Sequence, residues 1–390
     1  MLRTEVKKHL QRDIIPFWQS MKDREYGGFY GYLGYDLKLD KEAVKGCILN
    51  SRILWFFSNA YLMLGERELL ESAGHAFCFL KEHCLDREYG GVYWSLTYKG
   101  EPEDTTKHTY NQAFAIYALS SYYDASKDEE AIEIARELYR LVEEKCTDEY
   151  GYMEAFERDF RPAKNDKLSE NGVMAEKTMN TLLHVFEAYT ELYRVTGEEC
   201  VADRLRYMLD LAADKVYNRR LGRQEVFFDK EWNTLIDLYS YGHDIEASWL
   251  IDRGLKILND RSYTEKLGLI TRTITENVYN RAYIDHSVVN EAENGVVDTT
   301  RVWWVQAEAV VGFLNGYQKL PQEKKYLKAA EDIWQYITER LIDKRQGSEW
   351  FLAVDKEGNP AEKPIVEPWK CPYHNGRMCF EVMRRLKDAS

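Results

Sequence analysis

Two hydrophobic patterns alternate along the chain. Residues 67–80 (Arg-Glu-Leu-Leu-Glu-Ser-Ala-Gly-His-Ala-Phe-Cys-Phe-Leu) set apolar side chains at three- and four-residue spacing and keep one polar face. That periodicity predicts an amphipathic helix lying on a core. Residues 110–123 (Tyr-Asn-Gln-Ala-Phe-Ala-Ile-Tyr-Ala-Leu-Ser-Ser-Tyr-Tyr) are apolar on most sides, which predicts a buried helix. Between them a glycine-tipped turn leads into residues 91–98 (Gly-Val-Tyr-Trp-Ser-Leu-Thr-Tyr), whose alternation suits a brief β-hairpin.

The unit recurs at intervals of roughly 60–70 residues over the whole chain. Its turns read Asp-Arg-Glu-Tyr-Gly at 23–27 and 86–90, Thr-Asp-Glu-Tyr-Gly at 147–151, Asn-Arg-Arg-Leu-Gly at 218–222 and Asp-Lys-Arg-Gln-Gly at 343–347. The gap between Gly222 and Gly347 is two periods, so a sixth turn without glycine is expected near Ile284, within residues 280–286. Inner helices are expected to begin near Asn50, Thr109, Lys177, Tyr241, Thr299 and Pro372. Twelve helices, alternately outer and inner, predict an all-α (α/α)6 barrel with short hairpins at one end, filling residues 1–390 as a single domain. Every turn precedes an inner helix, so the hairpins and the inner-helix N-termini share one mouth. There the helix dipoles and unpaired N–H groups favour a binding site. The tail, residues 387–390, is expected to fray.

Composition narrows the function. A net charge of −13 with interleaved acids and bases argues against a nucleic-acid partner. No run approaches a membrane span, and the N-terminal residues lack a signal-peptide apolar core. The seven cysteines contain no Cys-x-x-Cys, so reduced thiols and a cytoplasmic location are expected. Nucleotide-binding glycine loops, Gly-x-Ser-x-Gly and His-Glu-x-x-His are absent. An enclosed toroid of this kind can be stable as a monomer.

Aligning the first turns of the inner helices brings Arg52, Asn111, Asn180, His243, Trp304 and His374 into register. One turn deeper lie His184 below Asn180, Glu246 below His243 and Glu308 below Trp304. Polar groups of this kind are costly inside a barrel unless paired or used. Glu246 is expected to hold the His243 tautomer. Arg52 suits a sugar oxygen or a developing enolate, or else a salt bridge with Glu308. Trp249, Trp304 and Trp369 offer flat faces to pyranose rings, whereas Trp303 reads as core. His286 is a candidate for the rim of the site; His9, His75, His83 and His108 read as ordinary. His184, His243 and Glu246 do not have spacing that demands a metal, and none is expected.

Two histidines on separate helices facing one cavity suit exchange of a carbon-bound proton beside a carbonyl. On an open-chain aldose, removing the C2 proton gives a cis-enediol. Reprotonation of the opposite face of C2 gives the 2-epimer; protonation at C1 gives the ketose. No cofactor is needed. A glycosidase built on Glu246 and Glu308, an aldose–ketose isomerase and a non-catalytic sugar-binding barrel remain alternatives at this stage.

Four segments carry a family resemblance. Residues 50–58 (Asn-Ser-Arg-Ile-Leu-Trp-Phe-Phe-Ser), 241–250 (Tyr-Gly-His-Asp-Ile-Glu-Ala-Ser-Trp-Leu), 301–308 (Arg-Val-Trp-Trp-Val-Gln-Ala-Glu) and 368–377 (Pro-Trp-Lys-Cys-Pro-Tyr-His-Asn-Gly-Arg) resemble the N-acylglucosamine 2-epimerase superfamily. The resemblance runs from about residue 15 to 385 and implies a cytoplasmic, cofactor-free (α/α)6 enzyme. On its disaccharide branch, favoured by the lack of a phosphate loop, the reducing-end glucose of cellobiose or lactose would become mannose. It also implies roles: His243 and His374 as acid and base, His184 in ring opening, and Arg52, Asn180, Glu246, Trp249, Trp304, Glu308 and Trp369 as sugar contacts, with Trp369 under the second ring. Aldose–ketose isomerases and N-acylglucosamine epimerases share the scaffold.

Overall fold

The computed structural model describes residues 1–169 and 171–386; the tail at 387–390 lies outside the described residues. The six inner helices are Cys47–Leu64, Thr109–Ser126, Met179–Thr196, Tyr241–Leu258, Trp303–Lys319 and His374–Arg385. Each expected start falls within a few residues of the observed one. The outer helices begin with one at 2–20 and continue with Arg67–Phe79, Glu129–Lys145, Glu199–Leu211, Arg261–Ala282 and Lys324–Tyr336. The inner helices touch in order around a ring, and the sixth meets the first. Outer helices pack against the inner helices that precede them, and the helix at 2–20 covers the sixth inner helix. This is the (α/α)6 barrel. Among the described residues no helix is long and apolar enough to cross a membrane.

Burial explains the two patterns. The first inner helix is buried continuously from Cys47 to Ala60 because neighbours surround it. The outer helix Glu129–Lys145 buries only Ala131, Ile132, Ile134, Ala135, Leu138, Tyr139 and Val142, one face at helical spacing.

The turns repeat for a stereochemical reason. An Asp or Asn oxygen near the start of the turn accepts its backbone N–H groups, as Asp23 does from Glu25 (2.9 Å) and Tyr26 (3.1 Å) and Asp148, one place later, from Tyr150 and Gly151. The tip glycines have positive φ, +78° at Gly90 and +67° at Gly222. A Cβ would sit 2.7 Å from Leu141 at Gly90 and 2.3 Å from Asn277 at Gly222. The glycine-free sixth turn lies where expected: Ile284 pairs with Ser287, and Asp285 (φ 52°) and His286 (φ 62°) take the left-handed conformation themselves.

A buried cation before the inner helix latches most turns. Lys45 donates to Asp23 (2.6 Å) and Gly27 O (2.7 Å), and Lys107 to Asp86 (3.1 Å) and Gly90 O (2.9 Å). Lys177 donates to Asp148 and Tyr152 O, and Arg301 to Ser287 and Ile284 O.

The short strands form the expected local hairpins, as Tyr32–Leu33 with Leu39–Asp40 and Glu291–Glu293 with Val296–Asp298, but also pair between repeats. Within residues 91–98 only Ser95–Leu96 is a strand, pairing with Lys45–Gly46 of the previous repeat and with Pro102–Asp104. The same link recurs as Lys107↔Phe156, Lys177↔Phe228, Ser240↔Glu291 and Arg301↔Val354. A bridge between Leu33 and Val366 closes the circle. The alternation in these runs is therefore satisfied within and between repeats, and the links fix the backbone just before each inner helix.

Candidate active site

Inside the hairpin end lies a cavity of about 420 Å³, in the range of small-molecule sites. Its walls include Arg52, Tyr110, Asn180, His184, His243, Glu246, Trp303, Trp304, Trp369 and His374, so all six inner helices contribute. The second inner helix enters through Tyr110 and not through Asn111, which is fully buried and donates to Tyr93 O (2.7 Å). Lys167, Leu168 and Asn171 add to it, as do Asn290 and Glu291 just after the glycine-free turn.

Each cavity histidine has Nδ1 committed to a partner on its own wall. His374 Nδ1 lies 2.7 Å from Glu308, which also accepts from Trp249 Nε1 (3.0 Å) and Arg377 (2.7 Å). A carboxylate so employed only accepts, so His374 donates from Nδ1 and presents an Nε2 lone pair. His184 Nδ1 lies 2.9 Å from Glu187. His243 Nδ1 lies 2.7 Å from the Ser240 hydroxyl. Glu246 therefore does not hold His243, as its i+3 position had suggested; Arg377 draws Glu246 toward the barrel axis. Trp304 packs against both imidazoles, with centroids 4.8 Å from His243 and 5.4 Å from His374. One indole thus holds the two rings as neighbours.

Arg377 organises the floor. Its guanidinium donates to Glu187, Glu246, Glu308 and the Tyr373 hydroxyl, all buried. Glu246, Glu308 and His374 bring one ligand atom each within 4.8 Å, a spacing a metal ion could use. Arg377 already engages both carboxylates there, and Glu308 is shared with the imidazole. Three carboxylates surround one cation, and their pKa values part. Glu187 falls to about 2: burial opposes ionisation, but Arg377 and His184 outweigh it. Burial and the neighbouring Glu308 raise Glu246 to about 7. Its Oε2 has no protein partner.

Burial, reinforced by the charge of His184, lowers His243 to about 3. Burial with Arg377 and Arg52 holds His374 well below the usual imidazole range. Burial thus favours the neutral form of both rings, and a neutral imidazole can take up a proton.

Arg52 is 2% exposed. It donates to Tyr110 Oη (2.8 Å) and Trp369 O (3.3 Å) and lies over the Phe114 ring at 4.2 Å. Among the described residues it has no carboxylate partner; the alternative of a salt bridge to Glu308 is not realised. A desolvated guanidinium at a cavity wall is ready to receive an anionic oxygen.

Some expected contacts lie elsewhere. Trp249 is 1% exposed and sits behind Glu308, not on the cavity wall. Glu308 likewise acts through His374. Trp303 is not remote core: it lines the cavity edge-on to His374 at 5.5 Å. His286 is exposed on the outside, 3.3 Å from Asp332. Sequence reasoning missed Arg377, Glu187 and Tyr110. Arg377 follows His374 by three residues and Glu187 follows His184 by three, so the spacing that singled out Glu246 would have found both.

Comparison with known proteins agrees with this geometry. Residues 28–376 match the N-acylglucosamine 2-epimerase family. The chain is 53% identical to a cellobiose 2-epimerase of Eubacterium cellulosolvens over 97% of each chain, and 52% identical to one from Ruminococcus albus over 100% of each. A solved sugar epimerase from a ruminal bacterium superposes with a TM-score of 0.98 at 52% identity, covering both chains completely. The chain belongs to the N-acylglucosamine 2-epimerase family and, within it, groups with the cellobiose 2-epimerases.

Proposed function

We propose that the protein is a cellobiose 2-epimerase: it inverts C2 of the reducing-end glucose of β-1,4-linked disaccharides, converting cellobiose to glucosyl-mannose and lactose to epilactose. The observation that carries this reading is the pair His243 and His374, neighbouring across Trp304 and each with Nδ1 tied off. Their remaining nitrogens are the groups available to a sugar carbon.

In the proposed course, His184 and the proton-bearing Glu246 assist opening of the sugar ring. His374, made more basic by Glu308, takes the C2 proton. The C2–H electron pair moves toward the carbonyl, and the oxygen that gains charge is stabilised by Arg52. The cis-enediol collapses as His243, protonated for this step, delivers its Nε2 proton to the opposite face of C2 and is left neutral, while His374 keeps the proton it took. In the reverse direction the two exchange roles. Asn180 and Trp304 hold the reacting ring, and Trp369 stacks under the second. No cofactor takes part.

Product analysis after incubation with cellobiose tests the reading. Glucosyl-mannose as the main product, lost in both His243→Ala and His374→Ala, is expected. Ketose as the main product would assign an isomerase, and free glucose a hydrolase.

A further inference from the structure

Ser240 occupies the N-cap of the fourth inner helix, with His243 at the third helical position. A serine there ordinarily accepts the N–H of the third residue. Thr178 does this at the start of the third inner helix, accepting from Thr181 N at 3.0 Å. Ser240 makes no such bond; its hydroxyl lies 2.7 Å from Nδ1 of the His243 ring. The backbone beneath it is held by the Ser240↔Glu291 pairing, and the residue is 8% exposed. The helix thus forgoes a standard cap, and the hydroxyl contacts the imidazole in its place.

We infer that Ser240 is a positioning residue for His243, holding the ring so that Nε2 faces the sugar in both of its protonation states. A hydroxyl can accept as well as donate. It accepts from Nδ1–H whether the ring is charged or neutral, so the exchanged proton enters and leaves at Nε2 alone and none passes through Ser240. Glu308 accepts from His374 in the same way but carries charge, and so favours the protonated ring more strongly than a neutral hydroxyl does. The two histidines are therefore wired asymmetrically, His374 as the stronger base and His243 as the readier acid. This inference rests on the epimerase reading.

Ser240→Ala and His243→Ala, assayed side by side with cellobiose, test it. Ser240→Ala is expected to lower kcat about 10- to 100-fold, with KM unchanged. Its Tm should match that of the unmodified protein, because no cap bond is lost. In 15N-histidine NMR the His243 resonances should move toward the averaged tautomer positions of a free imidazole. Unchanged kcat and unchanged His243 resonances in Ser240→Ala, with His243→Ala inactive, would overturn the inference and leave the epimerase reading standing. A Tm lowered by ~1–2 °C or more, the scale of a lost cap in a chain of this length, would show a structural role instead and also overturn it. Full activity of His243→Ala would remove the epimerase reading itself.

Discussion

At the scale of single residues, the site depends on one cation shared among three acids. Arg377→Ala would leave Glu187, Glu246 and Glu308 buried without their common partner. The expected loss is ~3–5 kcal/mol of unfolding free energy, the cost of orphaning a buried ion pair. Urea denaturation measures it, and a loss below ~1 kcal/mol would show that the acids simply take up protons. A second residue gives a pH signature. Burial raises Glu154 to about 7 while it accepts from Thr178 N and Thr181 Oγ at the third inner helix. The folded state then holds this proton more tightly than the unfolded chain. Its contribution is fully present below the unfolded value near 4.5 and is lost as pH rises through about 7. Glu154→Gln should flatten the fall in stability between pH 5 and 8 by up to ~3 kcal/mol. An unchanged slope would contradict that assignment.

The residues that could be read from sequence were those whose register on the inner helices departs from apolar: His184, His243, His374, Arg52 and Glu246. Those that could not be read were charged side chains that look like surface residues until the ring closes. Arg377 sits on the sixth inner helix, and only closure against its neighbours brings it to Glu187 of the third and Glu246 of the fourth. Trp249 erred the other way. Its position one turn inside the helix looked like a cavity face, but Glu308 and Arg377 fill the space before it.

At the scale of elements, the turn is the unit that repeats, and its latch is a buried lysine. Lys45 and Asp23 are almost completely buried and 2.6 Å apart. Lys45→Met should cost ~3–5 kcal/mol by leaving Asp23 unpaired, and Asp23→Asn in the same chain should restore part of it. Equal stability of the single variant, by urea denaturation, would show that the turn stands on its backbone bonds alone. The glycines and Asp or Asn residues made these turns legible, and the period located even the sixth. The pairing between repeats was not legible, because a strand such as Ser95–Leu96 alternates as a hairpin would, pairs locally with Pro102–Asp104 and also finds a second partner one repeat away.

At the scale of the whole molecule, the links between successive repeats and the Leu33–Val366 bridge leave no free end in the ring. The first outer helix packs on the last inner one, so neither terminus is dispensable to closure. A ring of this kind should unfold as one unit. Calorimetry is expected to give one transition with equal calorimetric and van't Hoff enthalpies; two resolved transitions would divide the chain into separate domains. The same closure gathers the N-terminal ends of the six inner helices around one cavity. The proposed proton transfer would thus be a property of the barrel, with His243 on the fourth inner helix and His374 on the sixth.

The proton transfer itself can be observed. Cellobiose incubated with the protein in D2O and followed by NMR should gain deuterium at C2 of the reducing-end ring while the glucosyl-mannose signals grow, and both changes should vanish in His243→Ala and His374→Ala. Epimer formation at full rate in either histidine variant, or product without deuterium at C2, would contradict proton transfer by this pair.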